Sequence, residues 1–112
     1  MEKRVVQKFL TVCEGGAVRS VAMAFTLKYN FGHEAVPVSH AKCSQESLDY
    51  FSAWADHIVL MQPHFADKFT KWQGKLVVID VGQDCWLNSL HPDLQEIVSR
   101  IAQNWHNKNW KF

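Results

Sequence analysis

The stretch Val12-Cys13-Glu14-Gly15-Gly16-Ala17-Val18-Arg19-Ser20 decides how the rest of the chain is read. Before it, Val5-Val6 and Phe9-Leu10-Thr11-Val12 form an apolar run expected of a buried strand, and after it Val21-Ala22-Met23-Ala24-Phe25 opens a helix. A cysteine at a strand tip, five residues, and then Arg-Ser entering a helix make a phosphate-sized cradle. Gly15 and Gly16 let the short loop turn several backbone N–H groups toward one point, and the first helical turn adds unpaired N–H groups and a positive dipole end. Arg19 supplies a planar fork that matches two phosphate oxygens at once. In that field the Cys13 thiolate is stabilised, and a thiolate beneath a bound phosphate is an in-line nucleophile. A buried thiol beside a surface cation is the plainer reading of Cys13 and Arg19 alone. The glycines and the Arg-Ser entry into a helix favour the loop.

Cys13-x5-Arg19-Ser20 resembles the phosphate loop of the low-molecular-weight protein tyrosine phosphatases, where the pattern is Cys-x-Gly-Asn-x-x-Arg-Ser. Cys13, Gly15, Arg19 and Ser20 match it. Gly16 stands where the family has Asn, so the same left-handed backbone is available without the side chain that braces the loop. Ala55-Asp56-His57-Ile58-Val59-Leu60-Met61 resembles the family's Ala-Asp-x-Ile-x-x-Met strand. Val38-Ser39-His40-Ala41 is similar, more distantly, to its Ser-Ala-Gly segment. Ile79-Asp80-Val81-Gly82-Gln83-Asp84-Cys85-Trp86, then Pro92-Asp93-Leu94, resembles the Asp-Ile-Pro-Asp loop and final helix of a short phosphatase-like subgroup.

Length and composition agree with such a protein. A chain of 112 residues is expected to form a single domain spanning residues 1–112, and a net charge of +1 argues against a general nucleic-acid or anionic-membrane surface. No apolar run approaches the roughly 20 residues that span a bilayer, and Met1-Glu2-Lys3-Arg4 leads into a strand rather than a signal-peptide core. Three irregularly spaced cysteines make no disulfide framework, which fits a reduced, cytoplasmic setting. The six histidines show no paired ligand spacing, so a metal site is not expected, and the phosphatase chemistry that the resemblance implies requires no organic cofactor.

Along the chain, the first helix is expected from Ser20 to about Tyr29, with Val21, Ala24, Phe25 and Lys28 on one side and Asn30 and Gly32 ending it. Glu34 to Val38 reads as a short strand placed at a sheet edge by Pro37. Ser44 caps a second helix carrying Leu48, Phe51 and Ala55 inward, and His57–Met61 reads as a strand covered on both faces. Pro63 opens a third helix on which Phe65, Phe69 and Trp72 align, Gly74 closes it, and Leu76–Ile79 is the last strand. The final helix starts near His91-Pro92 and buries Leu94, Ile97, Val98, Ile101 and Trp105. Alternating strands and helices give a three-layer α/β/α fold with a four-stranded parallel sheet. The resemblance implies strand order 2-1-3-4 and a phosphate loop after the first strand.

The activity that the resemblance implies is cysteine-dependent hydrolysis of a phosphomonoester, phosphotyrosine above all, in a phosphorylated protein or a small substrate. Cys13 attacks phosphorus to form a cysteinyl-phosphate, while Arg19 and the backbone of Glu14, Gly15, Gly16, Ala17, Val18 and Ser20 hold the phosphate. Ser20 either caps the first helix or hydrogen-bonds the thiolate; the two roles are compatible. A general acid is needed for the leaving oxygen. Asp84, in Asp84-Cys85-Trp86, matches the family's Asp-x-aromatic, with Cys85 in place of Pro. Asp80 is the rival at the strand tip, and either carboxylate could instead be solvated. Trp86 is a candidate pocket wall or a packed loop residue.

Three other readings stand beside this one. A phosphate-binding pseudophosphatase would fit Gly16 and the altered acid loop. An arsenate reductase needs a cysteine relay for which only Cys85 is placed. A phosphotransferase-system IIB-like phosphocarrier does not require Arg19-Ser20. The C-terminal Trp105-His106-Asn107-Lys108-Asn109-Trp110-Lys111-Phe112 mixes aromatic and basic residues, as some single-strand binders do. A helix end with a docked tail explains it better.

Overall fold

The computed structural model describes residues 6–15, 18–81, 86 and 88–112. Strand β1 (Lys8–Cys13) is apolar on both faces because both are covered, with Phe9, Leu10, Val12 and Cys13 all fully buried. Helix α1 (Arg19–Phe25) follows and widens into a π-helical turn over Thr26–Asn30. Gly32, at φ 74°, closes the helix: its N–H donates to Lys28 O (3.1 Å) and that of His33 to Leu27 O (3.0 Å). Strand β2 (Glu34–Ser39), helix α2 (Gln45–Trp54), strand β3 (His57–Leu60), strand β4 (Leu76–Val78) and helix α3 (Pro92–Asn107) complete the order.

Among the described residues the four strands form one parallel sheet in the order β2-β1-β3-β4, the topology expected. The chain leaves β1 toward β2 by way of α1 and returns past β1 to β3 by way of α2. The strand order therefore reverses at β1, and its C-terminal end is the crevice where such sheets bind ligands. Cys13 stands at that end, level with Ser39 of β2.

Local signals account for most elements. The Ser44 side chain accepts from Ser47 N and caps α2, and β2 sits at the edge that Pro37 suits. In α3, Leu94, Val98 and Ala102 are buried, with Ile97, Ile101 and Trp105 packed partly against the core.

Three expectations are corrected, and the inward face of α1 is decided. The segment after Pro63 is not an α-helix but two 3₁₀ turns, Pro63–Lys68 and Thr70–Lys75, broken at Phe69 (φ −122°, ψ 28°). Phe69-Thr70-Lys71-Trp72 is rich in aromatic and β-branched residues that favour helix weakly, and a 3₁₀ turn keeps Phe65 and Phe69 fully buried. In α1 the inward residues are Arg19, Ser20, Ala22, Met23 and Ala24, continued by Thr26 and Leu27, while Phe25 and Lys28 face water. Ser20 lies inside α1 rather than capping it; Val18 holds that position without a side-chain cap. Strand β4 ends at Val78, although the backbone continues beside β3, Ile79 N donating to Leu60 O (2.9 Å).

Candidate active site

The site is built on the end of β1. Thr11, fully buried, donates its hydroxyl to Ser20 O at 2.8 Å and so ties the first turn of α1 to the strand. That fixes the span of the loop between Cys13 and Ser20, and Cys13 Sγ lies 3.1 Å from Ser20 Oγ. The Ser20 hydroxyl thus lies within hydrogen-bond distance of the Cys13 sulfur at the end of the strand.

Arg19 is only 1 % exposed, unusual for the residue type. Burying a guanidinium costs free energy that its contacts must offset. Its Nη1 donates to Gln62 Oε1, and its Cζ lies 5.6 Å from the centre of the Phe65 ring. Both partners come from the segment directly after β3, the neighbour of β1. The fork is thus held over the end of β1 by a polar group on one side and an aromatic face on the other.

The loop is also braced from the turn after β2. Ser39 Oγ donates to Glu14 O at 2.5 Å, His40 N to Cys13 O at 2.8 Å and Ala41 N to Glu14 O at 3.1 Å. Lys42 N in turn donates to Ser39 Oγ at 2.8 Å. These bonds hold the start of the loop through its own carbonyls, in a chain that has Gly16 where the related pattern has a bracing Asn. Glu14 itself is exposed, and Gly15 and Val18 are half-buried.

Gly16 and Ala17 of the loop, and Asp84 and Cys85, lie outside the described residues. Asp80 is exposed just past β4. Val81 N donates to Met61 O (3.3 Å), and Met61 N to Val12 O (2.9 Å), so Asp80 is carried to the sheet end where Cys13 stands. Two strand spacings, about 10 Å, separate β4 from β1. Trp86 packs partly against the core with its ring 5.4 Å from His91, at the start of α3.

The structure sets Cys13 against Ser20 and buries Arg19 against Gln62 and Phe65, two partners of the arginine that sequence reading did not name. The signal for Gln62 was available: it is the first polar residue after a fully buried strand that ends beside Cys13. No signal in the spacing distinguished Phe65 as a partner of Arg19 from Phe65 as core. No group of three or more metal-ligating side chains occurs among the described residues. No described helix is long and apolar enough to cross a membrane.

A four-stranded parallel α/β fold of this order is shared by the low-molecular-weight tyrosine phosphatases. Two solved structures share it: Wzb of Vibrio vulnificus in complex with benzylphosphonate, and the tyrosine phosphatase Wzb of Escherichia coli K30 in complex with phosphate. The first superposes with a TM-score of 0.72 at 15% identity, the second with 0.71 at 9%. Each comparison covers 93% of this chain and 99% of the other. No protein-family model and no curated protein matches the sequence.

Proposed function

We propose that this chain is a phosphomonoester phosphatase that works through Cys13, with phosphotyrosine as its substrate class. The observation that carries the reading is the pairing of Cys13 Sγ with Ser20 Oγ at 3.1 Å beside a buried, braced Arg19, on a fold shared with Wzb. The Cys13 sulfur attacks phosphorus, forming the S–P bond as the bond to the leaving oxygen breaks. Arg19 and the loop amides hold the three equatorial oxygens, and their fixed geometry favours the transition state over the free phosphate. Asp84 gives its proton to the leaving oxygen. It then takes one from the water that breaks the S–P bond, releasing inorganic phosphate and restoring the thiolate. Asp80 is the second candidate for this proton transfer.

The test is hydrolysis of phenyl phosphate by the purified chain and its carboxylate variants. An acid matters in proportion to how badly the leaving group needs its proton. Asp84→Asn is expected to slow phenyl phosphate by roughly 10²-fold, and p-nitrophenyl phosphate by much less. Asp80→Asn is expected to be milder on both. A leaving-group-dependent loss confined to Asp80→Asn would move the acid to that residue, and a wild type with no hydrolysis would refute the reading.

A further inference from the structure

His40 follows the last residue of β2, and contacts from its backbone and its ring converge there. Its main-chain N–H holds Cys13 O at 2.8 Å, and its own carbonyl accepts from Lys68 Nζ. Its imidazole is 15% exposed, and Nε2 lies 2.6 Å from Asp67 Oδ1. The same ring packs at 5.0 Å on Phe65, the aromatic face against which Arg19 lies. His64 flanks Phe65 at 4.2 Å and stands 6.5 Å from the His40 ring. The hydrogen bond from His40, the largest effect on the group, holds the Asp67 carboxyl below its ordinary range.

The series Asp67, His40, Phe65, Arg19 therefore runs from an exposed carboxylate to a buried guanidinium. His40 reaches both halves of the site, the Cys13 carbonyl through its backbone and Arg19 through Phe65. We infer that His40, oriented by Asp67, is a positioning residue for the phosphate site, setting the plane of the Arg19 fork relative to Cys13. It touches neither substrate nor reacting atoms. A loosened fork still attracts a phosphate dianion by charge, but it fits the planar equatorial oxygens of the transition state poorly. Loss of the pair should therefore weaken a transition-state mimic more than a ground-state anion.

This rests on the phosphatase reading only for its kinetic arm. The probes are orthovanadate, inorganic phosphate and an aryl phosphate, applied to the intact chain and to His40→Ala, Asp67→Ala and Asp67→Asn. Asp67 is exposed, so Asp67→Ala is expected to melt like the wild type and to decide the matter if His40→Ala does not fold. Both alanine variants are expected to lose roughly tenfold in vanadate affinity and in kcat/KM, the latter mainly through kcat. Phosphate affinity should change little, and Asp67→Asn, which keeps an acceptor for Nε2–H, should restore most of the loss. Asp67→Ala with wild-type vanadate affinity and turnover would overturn the inference alone. A wild type that binds vanadate without hydrolysis, and binds it less well as Asp67→Ala, would support the inference and refute the phosphatase reading. A wild type that binds neither anion would overturn both.

Discussion

Gln62 is the residue on which the buried cation most visibly depends, because its amide oxygen accepts directly from Arg19. A hydrogen bond to a charged group is worth about 1.5–3 kcal/mol when its loss leaves the charge buried. Gln62→Ala should therefore lower kcat/KM for an aryl phosphate by roughly 10- to 10²-fold, and lower the melting temperature by several degrees because the Arg19 guanidinium it leaves behind stays buried. Unchanged kinetics in that variant would show that Phe65 and the loop hold Arg19 without it. Cys13, Arg19 and Ser20 could be singled out as a group because strand tip, cation and helix entry sit within eight residues of sequence. Gln62, Ser39 and His40 were harder to read, since they lie at or just past the ends of other strands and meet Arg19, Glu14 and Cys13 only after the parallel sheet aligns three strand ends.

At the level of elements, the site's chemistry and the core's packing compete for the rotation of α1. Alanine, valine and methionine occur around most of that helix, so hydrophobic spacing alone aligned Val21, Ala24, Phe25 and Lys28 on one side without deciding which side faces the core. The structure turns the helix so that Arg19 and Ser20 face inward, which brings Ala22, Met23 and Leu27 into the core and leaves the Phe25 and Tyr29 rings tilted against each other outside. Two buried polar residues at the first turn outweigh one apolar ring on the surface, because Ser20 is bound to Cys13 and to Thr11. The 3₁₀ turns after β3 have a similar origin. Phe65 and Phe69 must both reach the core from a segment that also delivers Gln62 to Arg19 and Asp67 to His40, and a tighter helix serves all four. Helix α2, by contrast, was readable to its first residue, since a serine cap is a local signal that tertiary context does not alter.

Across the whole molecule, the two ends of the sheet do different work. The C-terminal end of β1 carries the candidate site, and the other end is closed by the chain's tail. Beyond α3, Asn109 and Trp110 take φ values of 56° and 58°, which turn the chain back under the sheet. Trp105 stacks on Phe9 with centroids 6.5 Å apart, Trp110 meets His33 at 4.3 Å, and Phe112 meets His57 at 4.5 Å. The tail is thus occupied by packing, as a docked helix end was expected to be. His57 is held in that cluster, with Nε2 2.5 Å from Gln7 Oε1, and burial pushes its pKa below the ordinary 6.5; Asp56 opposes the shift and Lys75 adds to it. A histidine kept neutral by folding contributes stability above its unfolded pKa, and that contribution is lost as pH falls through the folded value. The melting temperature should therefore drop between about pH 7.5 and about pH 5.5, and drop less in His57→Gln. Equal drops in the two proteins would place the acid sensitivity elsewhere. None of this reaches Cys13, whose role is the central claim and is tested most directly by acid-quenching the chain during turnover of an aryl phosphate and locating the phosphoryl group by mass spectrometry. A phosphoryl group is expected on the peptide that contains Cys13, with no labelling and no turnover in Cys13→Ser; steady hydrolysis by Cys13→Ser, or a phosphoryl group on any other residue, would rule out Cys13 as the attacking group.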